Sequence, residues 1–284
     1  MMPRVKRRLL GVLILLAVGL LLAGWAFFVE PAGLVTNVQT LTPTGWPTRL
    51  DGLKVAVLSD LHVGAPVVDA AKVREVRRLI DAWRPDLVLL AGDVLVGHEP
   101  GATLLPPKEA VAPLRGWDAP LGVWVVLGNH DWWVDGPATM AALEDAGLRV
   151  LENEAVPVET GHGRVWVAGL ADVWTRKTDA QRALSFVTDD APVLAFTHNP
   201  DVFPDVPARF SVVFAGHTHG GQVRLPFVGA PVVPSKFGQR YAAGAVVEDG
   251  RLLFVTSGVG TSILPVRFGV PPEVALLTLS ATAE

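Results

Sequence analysis

Gly128-Asn129-His130-Asp131 comes directly after the apolar run Gly122–Leu127. A run of that length reads as a buried strand. The loop at its carboxyl end then receives three polar side chains. Asn offers a neutral oxygen ligand, His an acid or a base, and Asp an anchor that can orient the His. Four more apolar runs end in the same way: Leu53–Leu58 in Ser59-Asp60-Leu61-His62, Leu87–Leu90 in Ala91-Gly92-Asp93, Val193–Phe196 in Thr197-His198-Asn199, and Ser211–Phe214 in Ala215-Gly216-His217-Thr218-His219. The chain has 7 histidines, and His62, His130, His198, His217 and His219 all fall in these places. With no cysteine present, thiolate nucleophiles and thiolate ligands are excluded, and a metal must sit on His, Asp, Glu or Asn. Taken singly, each block has an ordinary reading. Asp-x-His and Gly-Asp are turns, Asn-His-Asp is a helix cap, and His198 is a satisfied loop residue. Gly-His-x-His is the sharpest block, since alternate strand-like positions project two imidazoles together. All the blocks in one order point to a single metal site centred on His130.

The elements between the blocks must bring them together. Asp69 reads as the cap of a helix whose apolar positions Val73, Val76, Ile80 and Trp83 keep helical spacing, with Pro85 as its stop. A short helix near Lys108–Leu114 leads to the strand before Gly128. The strand-helix-strand-helix-strand order implies parallel pairing with right-handed crossovers. Beyond Asp131 the sequence reads as a helix near Pro137–Ala146, a hairpin about Thr160-Gly-His162-Gly163, a helix near Asp179–Val187, and closing strands near 245–247, 252–255 and 274–279. The expectation is an α/β fold of two packed sheets covered by helices, with the site at the strand ends, where open α/β sheets bind ligands.

The first part of the chain is of another kind. Leu9–Val29 carries no charged residue, and as a helix it would span about 30 Å, the thickness of a bilayer core. Arg4, Lys6, Arg7 and Arg8 precede it, and Trp25, Phe27 and Phe28 sit near its far end, where aromatics favour the interface. We read 1–8 as a basic cytoplasmic tail, 9–29 as a single transmembrane signal anchor, 30–47 as a linker with a first strand at Val35–Leu41, and 48–284 as the catalytic domain on the extracytoplasmic face. The rivals are a cleaved signal peptide and a buried core helix. The apolar run is long for a signal-peptide core, and Arg7-Arg8 is only a fragment of a twin-arginine signal. The formal net charge is −4, and four of the cations lie in the tail, so the globular part is more acidic still. An acidic domain is a poor nucleic-acid binder, because phosphate neutralisation drives such binding.

The set Asp60-x-His62, Gly92-Asp93, Gly128-Asn129-His130-Asp131, His198 and Gly216-His217-x-His219 resembles the signature of the calcineurin-like metallophosphoesterases. Gly220–Phe227, Ser257-Gly-Val-Gly260 and Pro265-Val-Arg267 are similar to the membrane-anchored YkuE/YaeI-like branch. The resemblance implies a four-layer α-β-β-α sandwich of two mixed sheets. It implies two divalent ions, Mn, Fe or Zn, on a ligand set that lacks sulfur. Asp60, His62 and His219 would hold the first, Asn129, His198 and His217 the second, and Asp93 would bridge them. His130 would assist the leaving group, with Asp131 orienting its ring. A bridging hydroxide would attack phosphorus in line. Members of this branch often carry an acid at the position of Val96, so that loop role has no bearer here.

The implied activity is hydrolysis of a phosphate ester, a phosphodiester or pyrophosphate of a lipid or envelope precursor, with a soluble nucleotide or phosphoprotein as the runner-up. A non-catalytic binding module on the same fold and a single-metal hydrolase are the other classes. Of the remaining polar residues, His98 reads as a solvated loop residue, Asp172 as a cap, and Arg224 and Arg267 as surface ion pairs or, less favoured, a bidentate anion fork. Trp132 and Trp133 either wall the cleft or pack in the core, and Phe227 is a second candidate contact for an acyl chain.

Overall fold

The computed structural model describes residues 4–281, so residues 1–3 of the expected tail and 282–284 of the expected catalytic domain lie outside the described residues. The apolar runs form strands because both of their faces can be covered. In chain order these are β1 (Val35–Leu41), β2 (Leu53–Leu58), β3 (Leu87–Ala91), β4 (Val123–Val126), β5 (Arg149–Val150), β6 (Glu154–Thr160), β7 (Gly163–Gly169), β8 (Val193–Phe196), β9 (Val212–Ala215), β10 (Gly244–Glu248), β11 (Arg251–Val255) and β12 (Glu273–Leu279). They make two sheets, ordered β1-β12-β2-β3-β4-β5 and β10-β11-β9-β8-β7-β6. Both are mixed. β2, β3 and β4 run parallel in the first, and β7, β8, β9 and β11 in the second, while β12 on β2 and β6 on β7 are antiparallel.

The sheets pack face to face. Leu89, Trp124 and Val126 of one meet Phe196, Phe214 and Phe254 of the other in a buried cluster. Helices α2 (Ala70–Trp83), α3 (Pro107–Val111) and α4 (Asn129–Asp145) cover the outer face of the first sheet, with Val73, Val76, Ile80, Ala110 and Leu143 against Ala56, Leu58, Val88 and Leu90. Helix α5 (Ala180–Ser185) and the helical turn at Pro200–Asp205 cover the second. This is the expected four-layer sandwich. Asp69 caps α2 by accepting from the Ala71 and Lys72 amides at 2.9 Å, and Arg84 closes it in the left-handed region just before Pro85.

The start of α4 differs from expectation. The helix begins at Asn129, eight residues ahead of Pro137, and is broken once, at Asp135 (φ −170°, ψ 89°). Asn129, His130 and Asp131 are therefore the first helical turn and not a loop. The Asp131 carboxylate makes this possible by accepting from the free Gly128 amide at 3.0 Å, a bond that closes the turn.

At the other end of the chain, α1 (Arg4–Gly24) runs on through π-helical turns at Trp25–Val29, and Lys6–Val29 is long and apolar enough to cross a membrane. Its position relative to the sheets matters. Val35 of β1 pairs with Glu273, and Ala275 pairs with Val57. The membrane-type helix therefore ends at the same end of the first sheet from which Asp60 emerges.

Phe214 has no solvent exposure in the cluster between the sheets. Phe214→Ala is expected to cost about 3–5 kcal/mol, read from the urea midpoint of the detergent-solubilised chain. A loss under about 1 kcal/mol would mean that this layer does not hold the sheets together.

Candidate metal centre

The strands β2, β3, β4, β8 and β9 all end at one edge of the two-sheet stack, and the chemistry-bearing residues follow them within a few positions. Their loops are tied to one another by main-chain bonds. The Asp60 amide donates to Gly92 O at 2.9 Å, His62 to Asp93 O at 3.0 Å, and Gly216 to His198 O at 2.9 Å. Turning this sharply out of a strand forces Asp60, His62, Asp93, His217 and His219 into the left-handed region, at φ 54°, 47°, 53°, 69° and 50°. Such a conformation costs a side-chain-bearing residue about 1–2 kcal/mol, and strain of this kind gathers at functional sites. Close approach adds a second constraint. A Cβ on Gly128 would collide with the Asp93 carboxylate, and one on Gly216 with Ser59 and Asp60.

The loops bring two groups of ligand-type atoms together. In one, His219 Nε2 lies 3.3 Å from both His62 Nε2 and Asp60 Oδ1, and His62 Nε2 lies 3.8 Å from Asp60 Oδ1. In the other, His198 Nε2 lies 3.1 Å from both Asn129 Oδ1 and His217 Nδ1. Asp93 Oδ2 faces both groups, 3.7 Å from His62 Nε2 and 3.2 Å from His198 Nε2. Ligand atoms of Asp60, His62 and His219, of His62, Asp93 and His130, and of Asp60, Asp93 and His198 each lie within 4.8 Å of one another.

Hydrogen bonds behind the rings fix which nitrogens face the centre. His198 Nδ1 donates to Ala91 O at 2.8 Å and His62 Nδ1 to Leu95 O at 3.2 Å, which leaves each Nε2 pointing inward. Asp60 Oδ1 and His217 Nε2 are buried with no hydrogen-bond partner among the described residues. The charges tell the same story. Burial pushes the His62 and His217 imidazoles down to about 3 and the Asp60 carboxyl up to about 6. Burial alone would lower His198 too, but the Asp93 carboxylate outweighs it and raises the ring to about 10. Asp93 in turn is held well below the usual carboxylate range, burial being overcome by His198 and His130. Buried imidazoles and carboxylates converging this closely fit a divalent ion, and the nitrogen-and-oxygen set needs no sulfur.

His130 stands beside this cluster, with its ring 4.6 Å from that of His62 and its Nε2 3.4 Å from Ser262 Oγ. Its amide donates to Asp93 Oδ1 at 2.9 Å. Asp131 does not orient the His130 ring, contrary to expectation. Both of its oxygens are occupied, one by the Gly128 amide and the other by the Leu95 amide at 2.9 Å, so it ties the β3 and β4 loops together.

Arg267 is the second correction. It is neither a surface ion pair nor an exposed anion fork. It is fully buried and donates to the carbonyls of Ser257, Gly258, Gly260 and Val270, with Nη2 3.4 Å from His219 Nδ1. Main-chain carbonyls of a closely folded loop satisfy its fork without a carboxylate. Asp172 caps a turn, accepting from the Trp174 and Thr175 amides and the Thr175 hydroxyl. His98 and Arg224 are exposed, and His162 sits in the β6–β7 turn.

A cleft of about 620 Å³ opens over the cluster. Asp93, Asn129, His130, His217 and His219 form its floor, and Val96, Leu104, Trp133, Trp174 and Ile263 are among its walls. Trp133 belongs to the cleft, 5.1 Å from the His130 ring, while Trp132 packs on the core under the Arg176 guanidinium. Sequence reasoning missed Trp174, whose ring stands edge-on to His217 at 4.3 Å. Its signal was an aromatic residue soon after the β7 end.

Comparison with known proteins gives an independent view. The family profile described as calcineurin-like phosphoesterase matches residues 53–221. The uncharacterized metallophosphoesterase YkuE of Bacillus subtilis is 30% identical over 99% of this chain and 100% of its own. Phosphodiesterase YaeI of Escherichia coli is 31% identical over 80% of this chain and 82% of its own. The UDP-2,3-diacylglucosamine pyrophosphatase LpxG of Chlamydia trachomatis is 25% identical over 89% and 91%.

The close approach of Gly128 to Asp93 can be tested directly. Gly128→Ala is expected to displace the Asp93 carboxylate and speed exchange of the His130 amide by at least about tenfold, the equivalent of one lost hydrogen bond. Unchanged exchange would show that this contact does not hold the carboxylate in place.

Proposed function

The chain belongs to the calcineurin-like phosphoesterases, and from that premise we propose that it hydrolyses a phosphodiester or pyrophosphate bond of a lipid or envelope-linked substrate with a pair of divalent ions. The hydrolase class comes with the family. The observation that carries the finer reading is the cleft itself, in which a floor of imidazoles and carboxylates meets walls of Val96, Leu104, Trp133 and Trp174. A polar reaction centre beside an apolar slot suits a substrate with a charged head and a greasy tail. That relatives carry the names phosphodiesterase and diacylglucosamine pyrophosphatase supports the same reading.

In this proposal Asp60, His62 and His219 would hold one ion and Asn129, His198 and His217 the other, with Asp93, whose Oδ2 faces both groups, contributing to each. Mn, Fe and Zn suit such donors. Bound there, the ions would supply Lewis acidity, providing a nucleophile at neutral pH and neutralising phosphoryl charge. The chain's own groups do the remaining work. Backbone acceptors behind His62 and His198 hold their rings in register. His130, next to the cluster and facing the open cleft, stabilises or protonates the leaving-group oxygen. Trp133 and Trp174 exclude water from one side and contact the apolar part of the substrate.

Lys6–Val29 fits a single-pass membrane helix. The basic residues ahead of it favour a cytoplasmic amino terminus, which would leave 48–284 as a catalytic domain outside the cell. A soluble nucleotide or phosphoprotein is the second reading, and tethering alone does not oppose it.

The test uses the full chain loaded with Mn. His130→Ala is expected to lower kcat on an aryl phosphodiester by about 10²–10⁴-fold with bound metal unchanged, and the wild-type chain is expected to prefer a vesicle-borne diacyl pyrophosphate to a nucleoside diphosphate. Unchanged turnover would remove His130 from the reaction. Preference for the nucleotide would favour the soluble substrate.

A further inference from the structure

Two loops on the anchor side of the cleft carry large apolar side chains that nothing covers among the described residues. Phe227 is fully exposed, Ile263 is 76% exposed, Val228 61% and Leu264 48%. Two of these sit on strained backbone, Phe227 at φ 66° and Ile263 at φ 68°. Bulky and β-branched residues rarely adopt that conformation. Here it turns apolar groups toward solvent and gains no packing inside the protein.

The loops are joined to each other and to the end of the anchor. The Gln222 side chain donates to Ser262 O at 3.0 Å and accepts from the Ser262 amide at 2.6 Å. The Arg224 amide donates to Phe268 O at 2.7 Å, and the Phe268 amide to Gln222 O at 2.8 Å. One residue away, the Arg267 amide donates to Ala26 O at 2.9 Å, and the Val270 amide to Glu30 Oε1 at 2.8 Å. Ala26 and Glu30 flank Phe27 and Phe28 at the end of the apolar helix, where aromatic residues mark the membrane interface. Charge points the same way. In a chain with 28 acids, none lies between Asp205 and Glu248, and none between Asp249 and Glu273.

We propose that the Leu225–Val228 and Ile263–Leu264 turns form a second, interfacial contact with the lipid bilayer beside the anchor. The contact seats the cleft mouth on the membrane, so that substrate reaches the centre from the lipid phase. It rests on the reading of the chain as a membrane-tethered hydrolase and adds the surface that fixes the tilt of the domain. The occupant is lipid and not a second protein, because the exposed groups continue the aromatic end of the anchor and lie in acid-free segments suited to an anionic surface. Ile263 belongs both to this rim and to the cleft wall. An acyl chain can therefore pass from bilayer to cleft along apolar surface.

The chain has no cysteine, so single labels can be placed cleanly. Full-length Phe227→Cys, Ile263→Cys and His162→Cys would each carry an environment-sensitive fluorophore in vesicles of phosphatidylcholine and phosphatidylglycerol. His162 is the control, at the far end of β7 from the centre. At 227 and 263 the emission is expected to shift to the blue and to lose most of its intensity to a lipid-borne spin label. At 162 it should respond only to aqueous iodide. Labels at 227 and 263 that behave like the one at 162 overturn the contact. A blue shift without quenching by the lipid-borne label means that protein covers the turns, and it overturns the contact as well. The unlabelled wild-type chain in the same vesicles is assayed on a soluble aryl phosphodiester. Hydrolysis with water-exposed labels removes the contact and leaves the hydrolase. Lipid-quenched labels without hydrolysis do the reverse. A chain that fails to float with the vesicles removes the tether and the contact together.

Discussion

Asp93 carries one carboxylate oxygen into the space between two sets of imidazoles, and the site is arranged around what that oxygen needs. It is buried, and it faces His62 on one side and His198 on the other. A buried anion is tolerable only when it is paired. In the metal-free chain Asp93 holds the His198 pKa up, while burial holds those of His62, His217 and His219 down. A pair of divalent ions would satisfy Asp93, Asp60 and the inward nitrogens at once, and Asp60 Oδ1, which has no hydrogen-bond partner now, would gain one. The strained backbone at Asp60, His62, Asp93, His217 and His219 is the cost of aiming five side chains from the ends of three strands at one point. The packing of the two sheets holds them there. Without the layer of Phe196, Phe214 and Phe254, the His198 and His217 loops would have no fixed distance from the Asp60 and Asp93 loops.

Much of this was legible because strands buried on both faces leave continuous apolar runs, and polar residues directly after them stand out. The bounds of β2 and β8, the Asp69 cap and the Thr160–Gly163 hairpin follow from such local signals. The start of α4 did not. Asn129, His130 and Asp131 are turn-forming residues by type, and Pro137 looks like a helix start, yet the helix begins earlier and survives a break at Asp135. The partner of Asp131 was hidden for a related reason, since a carboxylate that ties two loops cannot be told from one that orients a ring until the loops are placed. Arg267 is the clearest case. Its partners are main-chain carbonyls, which leave no mark in the sequence, so an exposed ion pair was the natural expectation. β5 is two residues long and carries no pattern at all.

The apolar helix and the chemistry are coupled by topology. β1 enters the first sheet at the end where Asp60 and Asp93 emerge, so the apolar helix and the cleft share one side of the molecule. The loop that buries Arg267 touches Ala26 at one point and His219 at another. Fold and metal chemistry are common property of the calcineurin-like phosphoesterases. Around the cleft of this chain Trp133, Trp174 and Ile263 offer apolar contact. Loops on a rigid scaffold are where specificity is expected to reside.

The central claim is a shared two-ion centre about Asp93, and anomalous diffraction from manganese-loaded crystals tests it most directly. Two anomalous peaks about 3.5–4 Å apart, one beside His62 and His219 and the other beside His198 and His217, with Asp93 between them, is the expected result. A single peak, or peaks away from Asp93, would contradict the account.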